Sequence, residues 1–271
     1  MGDTRPNEVI ARIQEGLEAA GRILNPFLGM AVKAESKAGG DPVTEADRAV
    51  NTALHRLLVK PGEGWLSEES ADDLARLAND RIWIVDPLDG TREFVAGIPE
   101  WCVSIAWVEA GRAVAGGILN PAARESFLGS QETGLVYNGN PARPSSRDSL
   151  EGAVVLASRS EFNRGEWQQF KDASFQIRPM GSVAYKLARV AAGLADATWT
   201  LTPKHEWDVA AGVALVEAAG GFTRSITGSP LTFNNRFPRL PGLVASGQEL
   251  ATRLITLLTS RRDPEIVQHP V

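Results

Sequence analysis

The residues of this sequence best suited to chemistry are carboxylates, and they stand where elements end. In "RIWIVDPLDGTREF" an apolar run, Ile82 to Val85, finishes on Asp86, and Pro87 and Leu88 lead on to Asp89, Gly90 and Thr91. A strand that ends at Asp86 presents that acid at a sheet rim, and a turn through Leu88 brings Asp89 back beside it. Two anions this close raise each other's pKa unless a cation or a shared proton lies between them. A plain Asp-Gly turn with solvated acids is the alternative. Upstream, "LSEES" ends a short apolar run on Glu68 and Glu69, and downstream Asp208 opens the apolar helix of "EWDVAAG". Capping of free N–H groups would also explain an acid at that helix start.

No histidine pair or cysteine cluster accompanies these acids. Carboxylates, a peptide carbonyl and water suit hard Mg²⁺ or Mn²⁺ rather than zinc, and magnesium commonly works on phosphates. Gly90 lets backbone approach a ligand closely, and the amides of Gly90 and Thr91 can point at phosphate oxygens if a helix starts there. The Thr91 hydroxyl could pass a proton from an attacking water to a base, for which Asp47 in "DPVTEAD" is the candidate. Two metal ions would acidify that water and neutralise charge on nucleophile and leaving oxygen.

Positioning such a site needs ordered elements, and the patterning supplies them. Ile10, Ile13, Leu17, Ala20 and Leu24 recur at helical spacing, as do Ala46, Val50, Ala53, Leu57 and Leu58. The loop between the two helices carries a Gly39-Gly40-Asp41-Pro42 break; the second helix starts near Thr44 with Asp47 in its first turn. "RIWIVD", "WCVSIAWVEAG", "RAVAGGILNP", "RESFLGS" and "GLVYNGNPA" predict an antiparallel sheet closed by Gly, Pro and Asn-Gly turns. From about residue 151 strands alternate with helices: "GAVVLASRS", a polar helix near 164–173, "SFQIRPM", "SVAYKLARVAAG", "LADATWT", "WDVAAGVALVEAAGG", "GLVAS" and a terminal helix. The reading is α/β (α+β). It divides into an N-terminal α+β subdomain, 1–150, with the sheet and most metal ligands, and a C-terminal α/β subdomain, 151–271, with Asp208 and substrate contacts.

Composition bounds the function. A net charge of -5 offers no general attraction for nucleic acid or an anionic membrane, so an anionic ligand must be met by local chemistry. The single Cys102 rules out an internal disulfide. With no apolar leader at the start and no run of about 18 apolar residues, a soluble cytoplasmic protein is expected. Trp101, Ile105 and Trp107 could form an aromatic platform but are read as core, and Cys102 as a small buried residue.

Taken in order and at their separations, "DPVTEAD", "LSEES", "WIVDPLDGTREF" and "WDVAAGVALVEAAGG" resemble the inositol monophosphatase superfamily of magnesium-dependent, lithium-sensitive phosphatases. The resemblance spans about residues 33–246. It implies a layered αβαβα sandwich of the inositol monophosphatase and fructose-1,6-bisphosphatase type. Glu68 and Asp86, with the Leu88 carbonyl, would hold one ion, and Asp86, Asp89 and Asp208 a second. Gly90 and Thr91 match phosphate-contacting positions, Thr91 with Asp47 the pair that activates water, and Glu69 a position tied in some members to a third, weaker metal. Mg²⁺ is the implied cofactor, two or three ions per site, with Mn²⁺ as substitute and Li⁺ and Ca²⁺ as inhibitors. Members are often dimers, so a homodimer is one expected assembly. A non-catalytic binding protein on the same fold would be expected to lose one of Glu68, Asp86, Asp89, Thr91 or Asp208; all are present.

The implied substrate is a small phosphate monoester. "LSEE", "DPLDGTREF" and Ser158-Arg159-Ser160 resemble the CysQ-type branch, bacterial 3'(2'),5'-bisphosphate nucleotidases of sulfur assimilation that act on adenosine 3',5'-bisphosphate. Inositol monophosphatases usually carry glycine where Ser67 stands and often an inositol-binding Glu at the position of Leu201, which cannot accept a sugar hydroxyl. "IPEWCVSIA" resembles the inositol branch more, which keeps inositol or broad sugar-phosphate hydrolysis open. Gly181 and Ser182 match a segment bordering substrate, or simply a strand-to-helix junction. Arg159 could pair with a second phosphate or be a solvated loop arginine. Lys204 and His205 could face the leaving group or lie in a polar loop, and Lys37 could approach from the first loop.

Overall fold

Alternation along the strand Arg81–Asp89 sorts its side chains onto two faces, Trp83 and Val85 to one and Ile82 and Ile84 to the other. The fold is built outward from those faces. A computed structural model describes residues 6–30, 34–36 and 42–260. The α-helices among them are α1 (Pro6–Leu24), α2 (Glu45–Leu58), α3 (Thr91–Val95), α4 (Arg159–Asn163), α5 (Val183–Ala191), α6 (Glu206–Ala218) and α7 (Ala251–Ser260). α1 and α2 cover the first face, with Ile13, Leu17 and Leu54 in one cluster with Trp83, Ile105 and Trp107. The buried stripe of α2 runs through Ala46, Val50, Leu54 and Leu58; Ala53 and Leu57, expected on it, are half-buried. Trp101, Ile105 and Trp107 are core, as read.

The large sheet has seven strands in the order Gly64–Ser67, Arg81–Asp89, Cys102–Glu109, Arg112–Asn120, Glu125–Ser130, Gly134–Tyr137, Asn140–Ala142. All neighbours pair antiparallel except the first two, which are parallel. The stretches expected as an antiparallel sheet pair so, and the parallel edge is Gly64–Ser67, a strand outside that expectation. The exception has a consequence for the site: parallel strands finish at the same end of a sheet, so the chain leaves Ser67 for Glu68 beside the end that carries Asp86. Asn138 and Gly139, with φ of 47° and 81°, close the predicted Asn-Gly hairpin.

On the second face lie α5 and α6. Residues 209–216 of α6 are buried on every side, which is why its sequence is apolar all round. Beyond them lies a second, mixed sheet in the order Gln176–Met180, Val154–Ser158, Ala197–Trp199, Leu243–Ser246, Phe222–Ser225. Its outer face packs Val155, Trp199 and Val244 with Trp167, Phe170 and the α7 residues Leu254 and Leu258. The layers thus run α, β, α, β, α. The polar helix expected at 164–173 starts earlier and is short: Ser158 caps α4, and Gly165 (φ 81°) separates it from a 3₁₀ turn, Glu166–Phe170. Among the described residues no helix is long and apolar enough to cross a membrane.

Candidate active site

A strand puts residues three apart on opposite faces, so Asp86 and Asp89 would diverge if the strand were regular. They do not, because the strand continues through Pro87 rather than ending at Asp86 as expected. Asp86 pairs with Ser104 and Asp89 with Cys102, so three steps on one strand oppose two on the other. The bulge absorbs Pro87, which has no N–H for a ladder, and turns both acids to the face of α5 and α6. Asp86 Oδ1 accepts the Leu88 amide at 3.0 Å. Asp89 Oδ2 accepts Ser182 Oγ and the Ala184 amide, both at 2.7 Å. Asp208, in the first turn of α6, accepts the His205 amide on Oδ2 at 3.0 Å. Each aspartate thus has one oxygen held; among the described residues the other carries no hydrogen bond.

Burial lifts the pKa of Asp86 well above the ordinary carboxylate range, and the charges of Glu68, Asp89 and Asp208 add to it. Asp208 is pushed well up by burial, then by Asp89 and Glu68. Asp89 is raised by burial against the pull of Ser182, Ala184 and Lys186. Among the described residues no three His, Cys, Asp or Glu side chains gather about one point as a finished cation cage. The donor set is still all oxygen, strongly self-repelling, and has one unbonded oxygen on each aspartate. That fits a hard divalent cation that keeps part of its water shell. Glu68, Asp86, Asp89, Asp208 and the Leu88 carbonyl are the groups that could hold it.

Asp47 lies at the N-terminus of α2, where it and Thr44 cap the helix. Its Oδ2 accepts the Thr44 amide at 2.8 Å, and Oδ1 stands 3.3 Å from Thr91 Oγ1, which also lies 3.1 Å from the Leu88 carbonyl. One hydroxyl proton is therefore shared between Asp47 and the Leu88 carbonyl. Burial raises Asp47, and Glu69 adds to it. Glu69 sits on the Asp47 side and is not in the cavity wall.

That wall encloses about 320 Å³ and brings together Glu68, Asp86, Leu88, Asp89, Gly90, Thr91, Ser158, Arg159, Gly181, Ser182, Lys204, His205 and Asp208. A larger cavity, about 570 Å³, lies at the C-terminal end of α6 against Glu217 and Arg224 and holds no such acids. Arg159 is not a solvated loop arginine: it opens α4, its Nη2 binds Glu100, and its buried Nε faces the Glu93 carboxylate at 3.6 Å, beyond hydrogen-bond distance. Ser158 caps α4 and also meets Ser160 Oγ at 3.0 Å. Lys204 Nζ lies 3.1 Å from the fully buried Glu161, which also accepts the Leu201 amide at 3.3 Å. His205 is exposed and stacks on Trp207 at 4.4 Å. Cys102 is buried and its thiol pKa is pushed well up, so it is no nucleophile. Lys37 lies outside the described residues.

Gly90 caps α3 with φ of 95°, and a Cβ there would stand 2.9 Å from the Glu100 carbonyl oxygen. Gly90→Ala is expected to cost about 1–3 kcal/mol of stability and to lower turnover, since a left-handed turn cannot take the side chain. Urea unfolding checks it; an unchanged midpoint with full activity would show that the turn tolerates a methyl group. Sequence reasoning missed Lys186, Glu93, Glu100 and Glu161. The only signal for Lys186 is a lysine inside the apolar run "VAYKLARVA".

Comparison with known proteins follows this geometry. The inositol monophosphatase family model matches residues 7–262. The inositol-1-monophosphatase of Mesorhizobium japonicum is 35% identical over 247 residues, 87% of this chain and 90% of that protein. The 3'-phosphoadenosine 5'-phosphate phosphatase of Mycobacterium bovis is 36% identical over 218 residues, 77% and 79% respectively. Among solved structures, the extragenic suppressor protein suhB from Bartonella henselae superposes with a TM-score of 0.79 at 31% identity, covering 94% of this chain and 99% of that one. A match of this extent, on the same layered fold, makes the chain a member of the inositol monophosphatase family of phosphate-monoester hydrolases.

Proposed function

We propose that the protein is a Mg²⁺-dependent phosphomonoesterase that removes the 3'-phosphate of adenosine 3',5'-bisphosphate, giving AMP and phosphate. The observation that carries the reaction class is the set of three aspartates, each with one oxygen held and one unbonded, beside a Thr91 hydroxyl 3.3 Å from Asp47. Bound Mg²⁺ would acidify the attacking water and offset charge on the phosphate oxygens. Asp47, fixed by Thr44, takes the proton through Thr91. The Gly90 and Thr91 amides, at the start of α3, seat the phosphate. Water attacks phosphorus in line, the ester P–O bond breaks, the 3'-oxygen leaves as the hydroxyl of AMP with a proton from solvent, and no phospho-enzyme forms.

The nucleotide assignment rests on the opposite wall. Arg159 and Lys204 line the cavity and bring two cations to it that could meet a second phosphate, Arg159 held by Glu93 and Glu100 and Lys204 by Glu161. Leu201 offers no acceptor for a sugar hydroxyl. Inositol 1-phosphate is the second reading, favoured by the longer match to the Mesorhizobium relative.

Phosphate release in Mg²⁺ from adenosine 3',5'-bisphosphate, inositol 1-phosphate and fructose 1,6-bisphosphate separates these readings. The bisphosphate nucleotide is expected to lead by about tenfold or more in kcat/KM, the size of one charge-assisted contact. Comparable rates on all three would defeat the nucleotide assignment and spare the reaction class. No release from any, with Mg²⁺ or Mn²⁺ present, would defeat both.

A further inference from the structure

Lys186 is 1% exposed in the middle layer and lines the cavity, a costly place for an ammonium group. Its Nζ donates to three successive backbone carbonyls, Met180 at 3.3 Å, Gly181 at 3.5 Å and Ser182 at 2.9 Å. Among the described residues no carboxylate forms an ion pair with it, and burial brings its pKa down to about 8. A methionine or leucine would fill the same volume without that desolvation cost, so packing does not account for a lysine here.

The three carbonyls belong to the turn that enters α5. Ser182 holds a left-handed conformation, φ 52°, unusual for a residue with a side chain. The Gly181 amide is tied from the other side to Glu100 Oε2 at 2.8 Å. From this turn Ser182 Oγ and the Ala184 amide reach Asp89 Oδ2. Carbonyls turned to one side repel one another, and an ammonium at their focus holds them there.

We propose that Lys186 is a positioning residue: by fixing the Met180–Ser182 turn it locks Asp89 Oδ2 and leaves Oδ1 oriented for a divalent cation. The inference rests on the reading of Asp89 as a metal ligand. It makes a prediction opposite in sign to that of a simple counter-charge. Removing a nearby positive charge would by Coulomb attraction alone tighten cation binding, whereas loosening the turn weakens it.

Mn²⁺ binding to the full-length protein, followed by the loss of the free-ion electron paramagnetic resonance signal, tests this beside Mg²⁺ half-saturation of phosphate release. Lys186→Met is expected to weaken Mn²⁺ binding by about tenfold or more and to raise the half-saturating Mg²⁺ concentration in parallel. Ser182→Ala removes one donor to Asp89 without changing charge and is expected to weaken binding too. The double variant should lose less than the sum of both effects, since the two act through one turn. Mn²⁺ affinity at or above wild type in Lys186→Met overturns the proposal. Should that variant fail to fold, wild-type affinity in Ser182→Ala overturns it. If the wild-type protein itself neither binds Mn²⁺ nor releases phosphate, the functional reading falls first.

Discussion

Asparagine in place of Asp89 is expected to abolish Mg²⁺-dependent phosphate release, by about 10³-fold in kcat/KM, equivalent to about 4 kcal/mol of transition-state stabilisation. The fold should survive. Asparagine has the shape of aspartate, and its carbonyl oxygen can still accept Ser182 Oγ and the Ala184 amide, the two bonds that Asp89 Oδ2 makes. What disappears is a negative charge that repels Asp86 and Asp208. In chelator the variant should therefore melt no lower than wild type, and somewhat higher where all three acids would otherwise be ionised. Phosphate release and thermal melts followed by circular dichroism check the two halves together. Wild-type turnover in Mg²⁺ would remove Asp89 from the metal site. A collapsed melting temperature would show instead that its charge is structural.

The second large effect joins metal to pH. Burial raises the carboxyls of Asp86, Asp89 and Asp208 above their ordinary value of 3.8, and repulsion from neighbouring acids adds to it at Asp86 and Asp208. In the metal-free protein the folded state therefore binds protons more tightly than the unfolded chain does. Stability from these groups is fully present below pH 3.8 and is lost as pH rises through their folded-state values. Lys186 has the opposite sign: its contribution is lost as pH falls from its ordinary 10.5 through about 8, so it varies mainly above pH 7.5. At pH 7.5 Mg²⁺ at about 100 times its dissociation constant should stabilise the protein by about 2.7 kcal/mol, or roughly 5–10 °C in Tm. The increment should shrink at pH 5, where protons compete for the same oxygens, and vanish in Asp86→Asn. Differential scanning calorimetry with and without chelator measures it. An increment independent of pH, or intact in Asp86→Asn, would mean that the cation does not sit between these acids.

Much of this site could be read along the chain because Asp47, Glu68, Asp89 and Asp208 stand at element ends, and element ends are local events. An apolar run that stops at Ile84-Val85-Asp86, a helix that starts near Thr44 or at Asp208, and a glycine before Thr91 follow from hydropathy period, capping and turn chemistry over a few residues. Four such motifs in fixed order also carried the family. The Asn138-Gly139 hairpin and the buried alternation of Trp101, Ile105 and Trp107 belong to the same class of local signal.

Other features depend on pairing across distance. The bulge that brings Asp86 and Asp89 to one face exists only in register with Ser104 and Cys102, and no local rule turned "DPLD" from a strand end into a bulged strand. The parallel edge that sets Glu68 beside Asp86 depends on how residues 68–80 return across the sheet. Whether Arg159 is a phosphate partner or a loop arginine stays open until Glu93 and Glu100 fold against it, and Glu161 gives no local signal before the 201–204 loop closes over it. The sequence by itself determined the chemistry on offer: hard oxygen ligands, a hydroxyl and its base, a glycine turn for phosphate. Only the tertiary structure decided how these acids meet: Asp86 and Asp208 are tied locally, by the Leu88 and His205 amides, but the oxygen of Asp89 that is tied is chosen by Ser182 and Ala184, donors at the start of α5 that arrive from 93 and 95 residues away.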